Sequence, residues 1–290
     1  MIHSGRLSIT RLVLLFVLGW MGAAHAQLDV ALQLGRRQFM QYEAVPVAVN
    51  LTNRAGQELF LHGDGRRPWL NFVVTDQRGT QLTPHGGSNF QAAKVPVGRS
   101  VARTVDLISM FSLTQRGNYS VYAIVTMPTG ESFRTARVSF SVAPGRLIYQ
   151  QRVGLGAKAR EYRLLTFAPG QTAYIYFQAE MVDRKQIVLT YPLGELLPFR
   201  KPEATVDKEG KLHILYLATP NRFMHTLIDA RGRVAERTLY GRGAVGEPRL
   251  VGFANGEVKV AGGVEYDPKA EQERNDKIRK ISERPSVLFD

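Results

Sequence analysis

Hydrophobic and polar residues alternate along the stretch Leu113–Thr126, which reads LTQRGNYSVYAIVT. After the turn residue Gly117, the odd-numbered residues from Tyr119 to Val125 fall on one face and the even-numbered residues fall on the other. Period-two alternation that is rich in β-branched and aromatic residues is typical of a strand with at least one buried face. The pattern therefore predicts a long strand around which the N-terminal half is organised.

The rest of the N-terminal half shows the same alternation and predicts about seven strands in all, the spacing of an antiparallel sandwich of immunoglobulin size. Asp76 and Gly79 occupy the first and fourth positions of a type I turn, which predicts a hairpin at that point. Pro46 cannot donate a ladder hydrogen bond, so it marks either a strand start or a sheet edge. The other predicted strands are Leu28–Leu34, Ala44–Leu51, Leu59–Leu61, Trp69–Thr75, Val101–Leu107 and Phe133–Val142.

The C-terminal half repeats a unit made of a short apolar strand, a turn ending in glycine and a second strand. The middle copy continues into a further hairpin, Phe223–Leu239. Four strands in about 40–45 residues is the period of a propeller blade, although a plain antiparallel meander produces the same units. Because three units are fewer than a closed propeller needs, we expect a stack that is open, capped by the first domain or completed by another chain, with strand edges that a partner could cover. The three copies are Tyr162–Phe177, Pro202–Leu217 and Pro248–Gly262.

Together these patterns predict an all-β protein with three parts. An immunoglobulin-like sandwich covers residues 27–143, and a propeller-like, incomplete β-repeat domain covers residues 144–265. A charged tail covers residues 266–290, where alternating charges and few apolar residues predict a solvated helix or a disordered segment.

Residues 1–26 have the pattern of a secretory signal peptide. Arg6 and Arg11 precede the apolar core Leu12–Met21, and Ala24–Ala26 matches the small-x-small cleavage pattern. The core is about half the ~20 residues that a membrane span requires. We therefore expect cleavage after this segment, export to the periplasm or beyond, and no transmembrane segment in the processed chain.

The composition restricts the classes of chemistry and of binding partner that are open to this protein. The chain has no cysteine, which excludes disulfides, thiol catalysis and cysteine-based metal sites. Its formal net charge is +13, which favours anionic lipids, acidic polysaccharides or cell-wall polymers as contacts outside the cytoplasm. Because the lysines and arginines form no long run, a dedicated nucleic-acid surface is not expected.

One loop cluster combines a base, an acid and a hydroxyl, namely His62, Asp64, His85 and Ser88. Triads and metal sites need such groups on positioned elements with recognisable spacing, which is lacking here. We therefore interpret these four as polar loop residues rather than as a site.

His213 and His225 each lie within an apolar strand, where a hydrogen-bonded or outward-pointing ring is far commoner than a ligand. Paired carboxylates for sugar hydrolysis require a fixed separation that the sequence does not supply. Asp207 and Asp229 are in any case explained as turn residues. The sequence thus predicts no catalytic, cofactor-binding or metal-binding residue and no cofactor. The carboxylates considered are Glu195, Glu203, Asp207 and Asp229.

Tyr42–Asn53, Phe72–Gly79 and Gly117–Ala123 resemble successive motifs of bacterial immunoglobulin-like domains of the intracellular proteinase inhibitor type. Tyr119, two residues after Gly117, also resembles the tyrosine of such sandwiches that hydrogen-bonds back to the preceding corner. The resemblance implies a sandwich fold and, as one alternative, protease inhibition. The C-terminal half resembles the propeller-type β repeats of an exported bacterial family.

The sequence thus favours a non-enzymatic, exported interaction module that acts on a protein or an anionic envelope polymer. Two alternatives stay open, a glycan-active or other hydrolytic enzyme of the envelope and an inhibitor of an exported protease. We expect a partner to dock on the free strand edges of the second domain. The sequence leaves the oligomeric state open.

Overall fold

The computed structural model of the chain describes residues 28–63, 67–86, 90–270, 272–273 and 276–277. Strands make up nearly all of its regular structure, which confirms the predicted all-β class. Two short 3₁₀ turns lie within these ranges, at Leu107–Ser109 and Gly156–Lys158, and residues 268–270 are helical. The predicted leader and most of the charged tail lie outside the described residues. None of the helical segments that are described has the length and apolar character needed to cross a membrane.

The described residues up to Ala143 form ten strands. They are β1 (Leu28–Leu34), β2 (Gln38–Met40), β3 (Pro46–Asn53), β4 (Leu59–Leu61), β5 (Leu70–Asp76), β6 (Ala93–Val95), β7 (Ser100–Asp106), β8 (Gly117–Thr126), β9 (Ser132–Arg134) and β10 (Val138–Ala143). Each predicted strand other than Phe133–Val142 is present as one strand, and Pro46 stands at a strand start, one of the two positions predicted for it. The two short strands β2 and β6 were not predicted.

Eleven further strands follow among the described residues. They are β11 (Arg146–Val153), β12 (Arg160–Phe167), β13 (Tyr174–Met181), β14 (Gln186–Glu195), β15 (Glu203–Val206), β16 (Leu212–Thr219), β17 (Arg222–Ile228), β18 (Val234–Arg242), β19 (Arg249–Gly252), β20 (Val258–Ala261) and β21 (Gly263–Glu265).

The strands assemble into several sheets. β1, β3 and β7 form one sheet in that order, β4 pairs with β6, and β2, β10, β8 and β5 lie in order in a sheet where β9 pairs with β8. β2 runs parallel to β10. Further along the chain, β11 to β14 form an antiparallel meander, β15 to β18 form a second meander that β21 extends, and β19 pairs with β20.

Two compact units are interleaved along the sequence. The first comprises residues 28–35, Pro46–Val105 and Ser120–Val138. The second comprises Arg36–Val45, Asp106–Tyr119 and the described residues from Ser139 onward. The domain boundaries expected from the sequence stay predictions.

In the first unit, the strand predicted as Phe133–Val142 is interrupted, and this corrects the prediction. The hydroxyl of Thr135 accepts a hydrogen bond from the N–H of Ala123 at 2.9 Å, and the Thr135 N–H donates to the Ala123 carbonyl at 3.0 Å. A buried side chain thus replaces a ladder bond, so the segment divides into β9 and β10. The predicted turn at Asp76 is present, but the returning strand is only a bridge at Gln81, since Pro84 soon interrupts it.

In the second unit, Tyr119 has the buried environment that the resemblance implies. Its hydroxyl donates to the carbonyl of Gln115 at 2.8 Å, and its side chain is 6% exposed. The ring stacks on Phe140 with 5.6 Å between centroids. A tyrosine that bonds to a carbonyl four residues upstream matches the corner expected at the start of this strand.

Residues 36–45 are held within the second unit by a buried polar group. Glu43 is 3% exposed, and its carboxylate accepts hydrogen bonds from the Met40 N–H at 2.9 Å and the Tyr176 hydroxyl at 3.1 Å. Arg36 forms an ion pair with Glu43 and donates to the Tyr176 oxygen at 3.0 Å. Burial raises the pKa of Tyr176 to about 12, so its hydroxyl remains a donor at neutral pH.

The main core of the second unit lies between the two meanders. Leu164 and Phe177 from β12 and β13 pack with Ile214 and Ile228 from β16 and β17. The opposite face of the second meander is also covered, because Leu215, Leu217 and Phe223 pack against side chains that include Leu250 of β19. Among the described residues of this unit, β15 to β18 therefore form the middle of three layers.

The predicted repeat is present as three hairpins, β12–β13, β15–β16 and β19–β20, and the second continues into β17–β18 as predicted. Gly210 and Gly256 have φ of 77° and 79°, a conformation that favours glycine at these turns. The third copy has only two strands where the others belong to four-stranded meanders.

Candidate functional site

The loop cluster that the sequence analysis interpreted as polar loop residues is only partly described. His62 and His85 are both exposed, and neither forms a hydrogen bond or ion pair with a described residue. The ring of His62 lies 5.3 Å from that of Phe60, centroid to centroid. Asp64 and Ser88 lie outside the described residues. The two histidines therefore have the environment of polar loop residues.

Among the four candidate carboxylates, Glu203 and Asp229 are engaged in local contacts with described residues and Glu195 is not. Glu203 accepts from Arg200 at 2.6 Å and from the N–H of Leu250 at 2.7 Å. Asp229 accepts two N–H groups within its own turn, at 2.9 and 2.8 Å, as a turn residue should. Glu195 is exposed at the end of β14. The remaining one, Asp207, contacts a histidine that the sequence reasoning had considered separately.

A pair of buried imidazole rings lies on the β16–β17 hairpin. In the register, His213 faces Leu227 and His225 faces Leu215, which makes the two rings diagonal neighbours on one face of the sheet. Their centroids are 5.3 Å apart, and Nδ1 of His213 lies 3.2 Å from Nε2 of His225. The side chains are only 7% and 8% exposed. Sequence reasoning missed the pair because it did not set the hairpin register.

Asp207 extends this pair into a chain of three polar groups. Its Oδ2 lies 3.2 Å from Nε2 of His213, while its Oδ1 accepts the N–H groups of Glu209 and Lys211 at 2.9 Å each. Because an ionised carboxylate only accepts, Nε2 of His213 carries the hydrogen. Burial alone raises the pKa of Asp207, but the Lys211 N–H, the His213 ring and the Glu209 N–H together hold that pKa below its ordinary value.

The chain ends at His225 without a reacting group. Burial, reinforced by the neighbouring His213 ring, lowers the pKa of His225 to about 4, so this ring is neutral at physiological pH. A hydrolytic triad needs a nucleophile next to its base, and no hydroxyl of a described residue is hydrogen-bonded to either ring. The described side chains likewise place no three histidine, aspartate or glutamate groups around a common metal position. The arrangement satisfies buried polar groups and ties the turn before β16 to β17.

An open strand edge distinguishes the third hairpin. The Phe253 N–H donates to the Glu257 carbonyl at 2.9 Å, so this is a hydrogen-bonded pair of the ladder. Since such pairs alternate in an antiparallel ladder, the N–H and C=O groups of Val258 and Val260 point away from β19. No strand among the described residues pairs with that side of β20. On the other side of the hairpin, the outward N–H of Leu250 is already bonded to Glu203.

Exposed apolar side chains lie on the segments adjoining β20. Phe253, Val264 and Val245 are 50%, 59% and 91% exposed. The loop that carries Val245 approaches the end of β20 closely, because a Cβ built on Gly243 would lie 2.5 Å from the Gly262 carbonyl oxygen. This part of the second unit thus combines unpaired backbone groups with exposed apolar surface.

A cleft of about 380 Å³ opens elsewhere in the second unit. The start of β11, the end of β12, the residue before β13 and the connection from β14 to β15 line it. Its apolar lining includes Ile148, Phe167 and Leu196, and both Ile148 and Leu196 also belong to the main core. The volume falls within the range of small-molecule sites.

The charges that line the cleft are of two kinds. Arg200 is compensated, because it contacts Glu203 and Glu247 at 2.6 Å each. Arg146 and Lys201 also line the cleft, and their side chains form no hydrogen bond or ion pair with any residue that the structure describes. The cleft therefore presents uncompensated positive charge above an apolar lining.

Sequence reasoning missed this cleft, although a signal was present. The connection from β14 to β15 reads LLPFRKP and places an aromatic and two basic residues between prolines. Its Phe199 is 86% exposed. The connection is longer than a hairpin turn, and it carries an aromatic ring and two positive charges that a solvated loop does not require.

Comparisons with known proteins leave the family open. No family model and no curated protein matches this chain. Spo0M, a sporulation control protein from Bacillus subtilis, is 9% identical over 89% of this chain and 96% of its own, with a TM-score of 0.29. The YadV chaperone is 12% identical over 73% of this chain and 99% of its own, with a TM-score of 0.24. Such low scores support no inference about fold or function, so the resemblances drawn from the sequence stay predictions.

Proposed function

We propose that this chain is a non-enzymatic interaction protein of the bacterial periplasm or cell surface that binds a protein partner through its second unit. The observation that carries the proposal is the unpaired outer edge of β20. Its outward N–H and C=O groups at Val258 and Val260 are those that an added strand bonds to. Because β20 has only four residues, it suits a short extended segment.

The surroundings of this edge support a protein partner. Phe253, Val264 and Val245 supply exposed apolar surface of the kind found at protein interfaces. An added strand gains main-chain hydrogen bonds from the edge and apolar contacts from these side chains. A polysaccharide partner would use the apolar surface less well.

The titratable groups support binding rather than catalysis. The Asp207–His213–His225 chain is buried and is used internally, and Glu203 and Asp229 are engaged by neighbouring groups. Export rests on the leader pattern of residues 1–26.

Substitutions at a single position test the edge. Val260→Pro removes one outward N–H without removing a β19–β20 hydrogen bond, whereas Val260→Ala shortens the same side chain and keeps the N–H. Purified wild-type and variant chains are immobilised and exposed to an envelope extract, and captured proteins are identified and cross-linked. We expect one protein that cross-links to β20 to be captured by wild type and Val260→Ala, and to be lost with Val260→Pro.

Three results would contradict the proposal. Equal capture by all three chains, or cross-links that map only to the first unit, would exclude the edge. A defined hydrolytic activity that one Asp or Glu substitution abolishes in a folded chain would replace binding with catalysis. N-terminal sequencing of envelope material tests export separately, and the first residue should be Gln27.

A further inference from the structure

The cleft of the second unit has a chemistry that the protein-binding edge does not explain. Ile148, Phe167 and Leu196 provide an apolar lining, and Arg146 and Lys201 bring positive charge that no described side chain neutralises. Clefts that bind small molecules combine these two features, an apolar lining with a few polar groups that fix orientation.

The basic residues of the lining differ in whether a carboxylate neutralises them, and only Arg146 and Lys201 lack such a partner among the described residues. Arg200 is held by Glu203 and Glu247 and lies 5.0 Å above the Phe223 ring, so it is fixed and neutralised. The fold therefore supplies carboxylates where it needs to anchor a cation in this region. It supplies none from the described residues for Arg146 and Lys201, which are exposed at the cleft, so their charge is accessible to a ligand.

We propose that this cleft binds an amphiphilic anion, a molecule with a short apolar body and one anionic head group. The head group would pair with Arg146 and Lys201, and the body would lie against Phe167 and its apolar neighbours. A volume of about 380 Å³ holds roughly a dozen non-hydrogen atoms at ~30 Å³ each, which fits a medium-length acyl chain or a single substituted ring.

Other occupants match the cleft less well. A neutral apolar molecule would leave the two cations without partners, and a small hydrophilic anion would leave the apolar lining in water. Phe199 supports a ligand with an apolar body, because this 86% exposed ring lies between two residues that line the cleft. A bound apolar body would give that ring a surface to cover.

Octanoate is a suitable probe because it carries one carboxylate on an apolar chain small enough for the cleft. Calorimetric titration at low salt compares octanoate with octyl phosphate, octanol and acetate on the purified chain. Octyl phosphate tests whether the head group must be a carboxylate, and octanol and acetate each lack one half of the proposed chemistry. We expect both octyl anions to bind at least about tenfold more tightly than octanol or acetate.

A matched pair of variants locates the binding. The double variant Arg146→Ala/Lys201→Ala removes both free cations, whereas Arg152→Ala removes an exposed cation farther along the same strand, β11. We expect the double variant to weaken octanoate binding by at least about tenfold and Arg152→Ala to leave it unchanged. Circular dichroism of each variant verifies that the sheet content is preserved.

Each remaining outcome decides the matter. Octanoate binding that is absent, that acetate equals, or that the double variant retains would overturn the proposal. Such a result would leave the protein-binding edge untouched, because Val260 and the cleft residues are tested by different variants and different ligands. Binding of octanol as tight as that of octanoate would assign the cleft to neutral lipids and would also overturn it.

Discussion

β8 and β16 are both flanked by strands on each side in their sheets, but they bury different numbers of faces. Alternate residues of β8 from Tyr119 to Val125 are buried, and the residues between them are half-exposed. In β16, the six residues from Leu212 to Leu217 are all buried. Strict alternation thus marks a strand covered on one face, and a nearly continuous apolar run marks one covered on both. The sequences show this difference, because YSVYAIVT of β8 alternates and LHILYL of β16 is almost continuously apolar.

The two strands differ in what covers their second face, which points away from the buried, alternating residues in β8 and from the main core in β16. In β16 this face carries Leu215, which packs within an apolar cluster that includes Leu250 of the third hairpin. In β8 it carries Tyr122, whose ring lies 4.7 Å from the Arg134 guanidinium and 5.5 Å from that of Arg137. A layer of backbone and side chains covers one face, whereas long cationic side chains cover the other.

The largest expected effect tests the second faces directly. Leu215→Ala should lower the free energy of unfolding by about 2–5 kcal/mol, because it leaves a cavity between two layers. Ile124→Ala, on the half-exposed face of β8, should cost about 1 kcal/mol or less, since that site is already partly hydrated. Urea unfolding of both variants gives the comparison, and equal losses would show that the two faces are covered alike.

Acid should destabilise the sheet that contains β16, because His225 lies on the neighbouring strand β17. Since the folded-state pKa of His225 is lowered to about 4, the unfolded chain takes up a proton first as the pH falls. Stability present above pH ~6.5 should therefore be lost towards pH ~4, by about 3 kcal/mol at most. His213, Glu236 and Tyr240 surround the ring. Asp207 contacts His213, and its lowered pKa places its own contribution below this window.

Two histidine variants isolate that contribution. His225→Leu should flatten the dependence of unfolding free energy on pH between pH ~4 and ~6.5, even if the variant is less stable throughout. His85→Leu removes an exposed histidine and should leave the slope unchanged. Urea melts at several pH values measure both slopes, and a steep slope that persists in His225→Leu would assign the titration to another group.

A smaller effect is expected at the start of β8. Tyr119→Phe keeps the stacked ring and removes only the hydroxyl that donates to Gln115, so it should cost about 1 kcal/mol. Thermal and urea unfolding measure it, with Tyr122→Phe on the half-exposed face as the control. If the two variants are equally stable, the corner bond does not contribute.

The smallest effect should come from the cationic cover of β8. Arg134→Ala removes one guanidinium from the Tyr122 ring and should cost about 0.5–1 kcal/mol, the range of an exposed cation–π contact. Arg54→Ala, which removes an exposed ion pair to Asp29, supplies the control and should cost no more. A loss of several kcal/mol in Arg134→Ala would mean that this face is covered as firmly as that of β16.

Local patterns accounted for the all-β class, the longer strands and the repeated hairpins. Alternation, turn chemistry and glycine act over a few residues, so β8, the turn at Asp76 and the turn at Gly210 were visible in sequence. The break in Phe133–Val142 was not, because it depends on the Thr135 hydroxyl meeting a backbone group on another strand. A pattern of apolar positions carries no information about such a substitution.

The polar contacts of the second unit could not be predicted from the sequence for the same reason. His213 and His225 were each assessed correctly as residues of apolar strands, but their contact depends on register. The free charges of Arg146 and Lys201 depend on which acidic residues the fold brings near them. Spacing along the chain does not determine which side chains meet across a fold, so neither the imidazole pair nor the unpaired charges of the cleft could be predicted.

The contacts of Arg36 and Glu43 with Tyr176 have a consequence for how the chain folds. These partners are separated by 140 and 133 residues, and both contacts lie within one compact unit. Contacts between distant parts of a chain carry a large loop-closure entropy, so they slow folding. The segment after β1 also pairs with β10 through β2, so it can attach before β13 forms. Its buried polar contacts with Tyr176 are completed only once β13 has formed, and folding intermediates that lack β13 should leave the Glu43 carboxylate hydrated.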